Sequence, residues 1–137
     1  MNTGGSDTLS LVLCSGTDDR LTGAAVVVVG AAAMERKVEI LLQFWALDAF
    51  RADRITKDHG LSPEAGTEGQ TLWEWHEGMH WSEMLRQAKE IGDVSIHACS
   101  LSMDLLKIVP DDLDPLVDDV HGVAAFLGAA GGAITFV

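Results

Sequence analysis

Basic residues are scarce in this chain. Nine Lys plus Arg face twenty-one Asp plus Glu, giving a formal net charge of −12 over 137 residues. With no basic cluster, phosphate-backbone binding lacks its main source of affinity, so no nucleic-acid partner is expected. The same acidity repels anionic membrane surfaces. Long apolar runs are also missing. The most apolar stretch, residues 21–34, is shorter than the roughly 20 residues a membrane-spanning helix needs. Residues 1–8 have neither the basic start nor the apolar run of a signal peptide. Two cysteines, Cys14 and Cys99, are too few for a disulfide framework and fit a reducing compartment. These absences predict a cytoplasmic protein with no membrane association. No G-x-G-x-x-G or P-loop segment occurs, so no nucleotide cofactor is expected.

What is present suits one compact domain. The length is too short for two ordinary domains and allows about two-thirds of the unfolded chain's surface to be buried. Residues 1–7 are polar and read as a flexible tail, with a single domain over 8–137. Apolar runs at 8–14, 38–44 and 94–98 read as strands. Shorter ones are expected at 117–121 and 133–137. Helices are expected over the segment after Asp18 that carries 24–34, then over 45–54, 81–92, a short piece capped by Ser102, and 122–130. Residues 55–71 are polar and glycine-rich and read as a long loop. Strands alternating with helices, without clean polar alternation inside the strands, predict an α/β fold with a covered parallel sheet.

The site expected from position lies at the carboxyl ends of the strands, where open α/β sheets bind ligands. Cys99 falls at such an end and directly precedes a helix start, an environment that favours thiolate over thiol. His97 shares a strand face with Cys99, so an imidazolium there would favour the thiolate further. Cys14 also ends a strand, before Ser15-Gly16.

The segment His76-Glu77-Gly78-Met79-His80 matches H-E-x-x-H, a zinc-protease pattern when it lies on one helix. Gly78 weakens that helix, and Glu83 and Arg86 stand where the extended motif needs Gly and His. The acidic stretch 111–119 lacks calcium-loop spacing and reads as a solvated loop. No metal ligand is assigned. Trp73, Trp75 and Trp81 cluster around the histidines and read as a patch buried against another subunit, in preference to an aromatic lid over the thiol site.

Several segments together resemble the DsrE/DsrF-like sulfur-relay family. They are Gly30-Ala31-Ala32-Ala33-Met34, Phe44-Trp45-Ala46-Leu47, Cys99-Ser100-Leu101-Ser102-Met103-Asp104, and Gly122-Val123-Ala124-Ala125-Phe126-Leu127 with Ile134 to Val137. The resemblance runs from Leu9 onward. Ala46 stands in place of the family's glycine, Leu101 in place of a methionine, and the 73–81 segment in place of a methionine-rich one. The resemblance implies a three-layer α/β/α sandwich around a five-stranded parallel sheet, assembled as a homo-oligomer, a trimer or hexamer. It implies that Cys99 accepts sulfane sulfur, with TusA-like or rhodanese-like carrier proteins as partners and no cofactor. Cys99 and His97 are then the expected catalytic residues, and Cys14, Ser100 and Ser102 the expected substrate contacts. The resulting expectation is a sulfur carrier or sulfurtransferase. Its alternatives are a non-catalytic oligomeric binding module of the same fold and a metal-dependent hydrolase acting through His76 and His80.

Overall fold

The computed structural model describes residues 7–130 and 132–137. The tail expected over 1–7 lies outside the described residues except for Asp7. In chain order the elements are β1 (Leu9–Leu13), α1 (Asp18–Ala33), β2 (Val38–Leu42), α2 (Phe44–Ala49), α3 (Gly66–Trp75), α4 (Trp81–Ile91), β3 (Val94–Cys99), α5 (Ser100–Leu106), β4 (Asp119–His121), α6 (Val123–Ala129) and β5 (Ile134–Phe136). The five strands form one sheet in the order β4-β3-β2-β1-β5, and every pairing is parallel. The fold is the expected three-layer α/β/α sandwich.

Strand alternation separates two faces. Leu11, Leu13, Val38, Ile40, Leu42, Ile96 and Ala98 point into the main core under α1 and α4. The small Ala24, Ala25, Ala31 and Ala32 let α1 lie close to that face. The valine run of α1 divides accordingly: Val28 is buried, whereas Val26 and Val27 face out. The opposite face is covered differently. Val12, Leu41 and Cys99 meet Phe126, the buried residue of the seven-residue α6 that crosses from β4 to β5.

Three expectations change. Residues 66–71, expected inside a loop, belong to α3; none of its residues is buried, so it has no apolar stripe to betray it. The helix expected over 45–54 stops at Ala49, where Arg51 instead pairs with Leu113. The helix expected to be capped by Ser102 starts at Ser100, with Cys99 as the capping position.

Near the site, two backbone features are fixed by close packing. A side chain on Gly16 would put its Cβ 2.3 Å from the Trp45 carbonyl oxygen, so only glycine lets the β1–α1 loop meet α2. Phe44, the first residue of α2, adopts a left-handed φ of 48°. The Ser102 hydroxyl accepts the Phe44 N–H at 3.0 Å and holds that turn in place.

Candidate functional site: a thiol row beside a histidine–carboxylate cluster

The parallel register aligns the carboxyl ends of four strands. Leu13 pairs with Leu42, and Leu42 with Ala98, so the next position in each strand forms a row of Cys14, Gln43 and Cys99. His121 extends the row as the register partner of Cys99. One step down on the same face lie Val12, Leu41, His97 and Asp119.

Gln43 links the two thiols. Its Oε1 accepts from Cys14 Sγ at 3.4 Å and its Nε2 donates to Cys99 Sγ at 3.8 Å. Cys99 is 0% exposed, beneath Phe126, whereas Cys14 is partly open to solvent. Burial, and then the nearby charge of Cys99, push the Cys14 thiol above its ordinary pKa. The cover over Cys99 is slight: α6 has a single buried anchor and is preceded by Gly122. A short element with so few buried contacts belongs to the low-stability end of a fold.

His97 shares the face of Cys99, as the sequence predicts, but its bonds go elsewhere. Nε2 pairs with Glu39 Oε1 at 2.8 Å and Nδ1 with Asp119 Oδ1 at 2.5 Å. Its ring stacks on His121 with centroids 4.0 Å apart. Burial works to lower the His97 pKa, but the bonds to Asp119 and Glu39 outweigh it and carry the pKa above the ordinary value. Both ring nitrogens thus face carboxylates rather than the thiol.

The remaining expected residues divide. Ser100 lies at the start of α5 beside Gly122. Ser102 is fully buried with its hydroxyl engaged by Phe44, so it shapes the turn that follows Gln43. The H-E-x-x-H segment is not one helix. His76 caps the end of α3, with its Nδ1 at 2.7 Å from the Trp73 carbonyl. His80 caps the start of α4, its Nδ1 accepting the Ser82 N–H at 3.1 Å. The two histidines therefore share no helical face, and the geometry of a zinc protease is not formed. Of the tryptophans, Trp75 is 75% exposed, but Trp81 is 1% exposed and belongs to the main core.

The residues that sequence reasoning missed are Gln43, Glu39, Asp119 and His121. Glu39 lies on β2, Gln43 directly follows it, and Asp119 and His121 lie on β4, so only the register brings them to Cys99. A cleft of about 350 Å³ beside the β1–α1 loop, lined in part by Ser15, Thr17, Trp45, Arg54 and His59, does not include Cys99.

No family model matches the chain. It is 27% identical to YrkE of Bacillus subtilis, an uncharacterized protein, over 88% of this chain and 89% of that one. Its fold is similar to the solved structure of MTH1491 from Methanobacterium thermoautotrophicum, a protein of unknown function. The TM-score is 0.61 at 18% identity, over 95% of this chain and 98% of the other. This likeness shows the fold alone. Among the described residues, no helix is long and apolar enough to cross a membrane.

Proposed function

We propose that the protein is a cytoplasmic sulfur carrier that holds sulfane sulfur on Cys99 and yields it to an acceptor thiol. The observation that carries this reading is the Gln43 carboxamide spanning Cys14 and Cys99 at the carboxyl edge of the sheet. In the loading step the Cys99 thiolate attacks the outer sulfur of a donor persulfide. The new S–S bond forms as the donor's S–S bond breaks, and the donor leaves as a thiolate. Unloading is the same exchange with an acceptor thiolate, so no net oxidation occurs. The Gln43 Nε2–H group stabilises the anionic sulfur, and Phe126 keeps water from the stored persulfide. TusA-like or rhodanese-like carriers are the partners of this reading. A homo-oligomer, trimeric or hexameric, is its assembly.

Full burial of Cys99 favours a second reading, a non-catalytic binding module of the same fold. Incubation with polysulfide followed by peptide mass spectrometry separates the two. Sulfur carriage requires an adduct of one sulfur atom on Cys99 that passes to an added thiol. No adduct on Cys99, or one on Cys14 alone, leaves the binding module.

A further inference from the structure

We propose that His97, Asp119 and His121 bind one divalent transition-metal ion of the zinc class at the β3–β4 edge of the sheet. This inference does not depend on sulfur carriage. One ligand atom from each of the three residues can be chosen so that all lie within 4.8 Å of one another. Bonds of about 2.0–2.2 Å to a four-coordinate zinc ion set such atoms roughly 3.4 Å apart, close to the 3.5 Å already found between His121 Nε2 and Asp119 Oδ2. Asp119 and His121 have side chains 52% and 28% exposed on a three-residue edge strand, while His97 is held inside.

Glu39 prepares His97 for this role. Its carboxylate takes the Nε2–H, which leaves Nδ1 as the nitrogen facing Asp119. A carboxylate behind the outer nitrogen of an imidazole is the usual support of a metal-bound histidine. An ion at Nδ1 needs that nitrogen without its proton, so metal binding competes with protonation of the ring. His121 supplies the independent observation. Its Nδ1 is buried without a hydrogen-bond partner, and its Nε2 lies 3.5 Å from Asp119 Oδ2. Among the described residues Nδ1 has no partner, and Nε2 has only this longer approach to a carboxylate that would itself be a ligand. The ion must lie near the plane of each imidazole. The two rings are stacked within 10° of parallel, so His121 tilts out of the stack on binding while Glu39 keeps His97 fixed.

Two imidazoles and one carboxylate form a borderline nitrogen–oxygen set. Such a set suits zinc, cobalt or nickel and is too poor in oxygen for calcium or magnesium. Exposure of Asp119 leaves the fourth position to water.

The test is titration of the metal-stripped full chain with Co²⁺ and then Zn²⁺, followed by absorbance and by melting temperature. One equivalent per chain is expected, with visible bands of four-coordinate cobalt and no sulfur-to-metal charge transfer. Zinc should raise the melting temperature. Asp119→Asn and His121→Ala should each weaken binding at least about ten-fold, and Glu39→Gln by about 10–100-fold. His76→Ala and Cys99→Ala should bind as the wild type does. Asp119→Asn preserves shape and charge-independent packing, so it decides the matter even if His121→Ala folds poorly. Absence of a stoichiometric site, its retention in Asp119→Asn, or its loss in His76→Ala overturns the assignment. Loss in Cys99→Ala also overturns this ligand set, without bearing on whether Cys99 carries sulfur.

Discussion

Gln43 donates to the sulfur of Cys99 across 3.8 Å, and the other end of the same amide accepts from Cys14 at 3.4 Å. An amide has a fixed polarity, so the two thiols are not equivalent: Cys14 is the donor and Cys99 the sulfur that receives a proton donor. Gln43→Leu keeps the approximate volume and removes both bonds. A hydrogen bond to a charged group contributes about 1.5–3 kcal/mol, so sulfur loading of Cys99 should slow by about ten-fold or more. Loading followed by mass spectrometry measures this, and an unchanged rate removes Gln43 from the site.

Cys14 should titrate above the free-thiol value of about 8.5, because burial and the charge of Cys99 both favour its neutral form. Burial is the larger cause. Cys99→Ala should therefore lower the apparent pKa of Cys14 only part of the way back. Alkylation rates of Cys14 followed against pH test both statements. An identical profile in the variant would show that the two sulfurs do not interact.

Cys14 and Cys99 should not form an intramolecular disulfide, near as they are through Gln43. Strand β2 separates their strands, and two strand spacings amount to about 9.6 Å. A disulfide needs Cα atoms roughly 4.4–6.8 Å apart. Peptide mapping under non-reducing conditions after mild oxidation should yield both cysteines unlinked to each other. A Cys14–Cys99 peptide from the monomer would mean that the row at the sheet edge rearranges.

The parallel sheet was legible in the chain because β1, β2 and β3 are short, largely buried apolar runs bounded by polar turns. Cys99 and His97 were legible because two residues of one strand, two apart, share a face whatever the rest of the fold does. The partners of His97 were not. Glu39 sits inside an apolar run, and Asp119 reads as one carboxylate in an acidic loop; their meeting with His97 depends on register across β2, β3 and β4. Helix α3 escaped because it buries nothing. Trp81 was misread with its neighbours for a similar reason: its partner Asp18 lies 63 residues away, and nothing local announces it.

Trp81 packs against Phe50 with ring centroids 5.0 Å apart and planes tilted by 46°, and its Nε1 donates to the buried Asp18 at 3.0 Å. Trp81→Ala should cost about 3–5 kcal/mol, the usual penalty for emptying an aromatic core position. It also leaves the Asp18 carboxylate short of a donor. Trp75 is exposed, so Trp75→Ala should change the stability of the isolated chain by no more than about 0.5 kcal/mol. Urea unfolding of the two variants compares them directly. Equal losses would place the two rings in equivalent surroundings, contrary to the packing.

His80 makes the start of α4 sensitive to pH. Its Nδ1 accepts the Ser82 N–H and faces the Ser82 hydroxyl at 2.8 Å, which requires a neutral ring. Burial lowers its pKa; the charge of His59 acts in the same sense, and the Asp18 and Glu83 carboxylates only partly oppose them. The folded value thus lies below the unfolded one of about 6.5. As pH falls through that range the unfolded chain takes up the proton first. The stabilisation is therefore complete above about 6.5 and is lost as pH drops through the folded value. Asparagine caps a helix without titrating, so His80→Asn should remove this dependence while leaving the contributions of other groups in place. Urea midpoints at pH 7.5 and about pH 5.5 should converge more in His80→Asn than in the wild type. Parallel losses in the two proteins would mean that the His80 cap survives protonation.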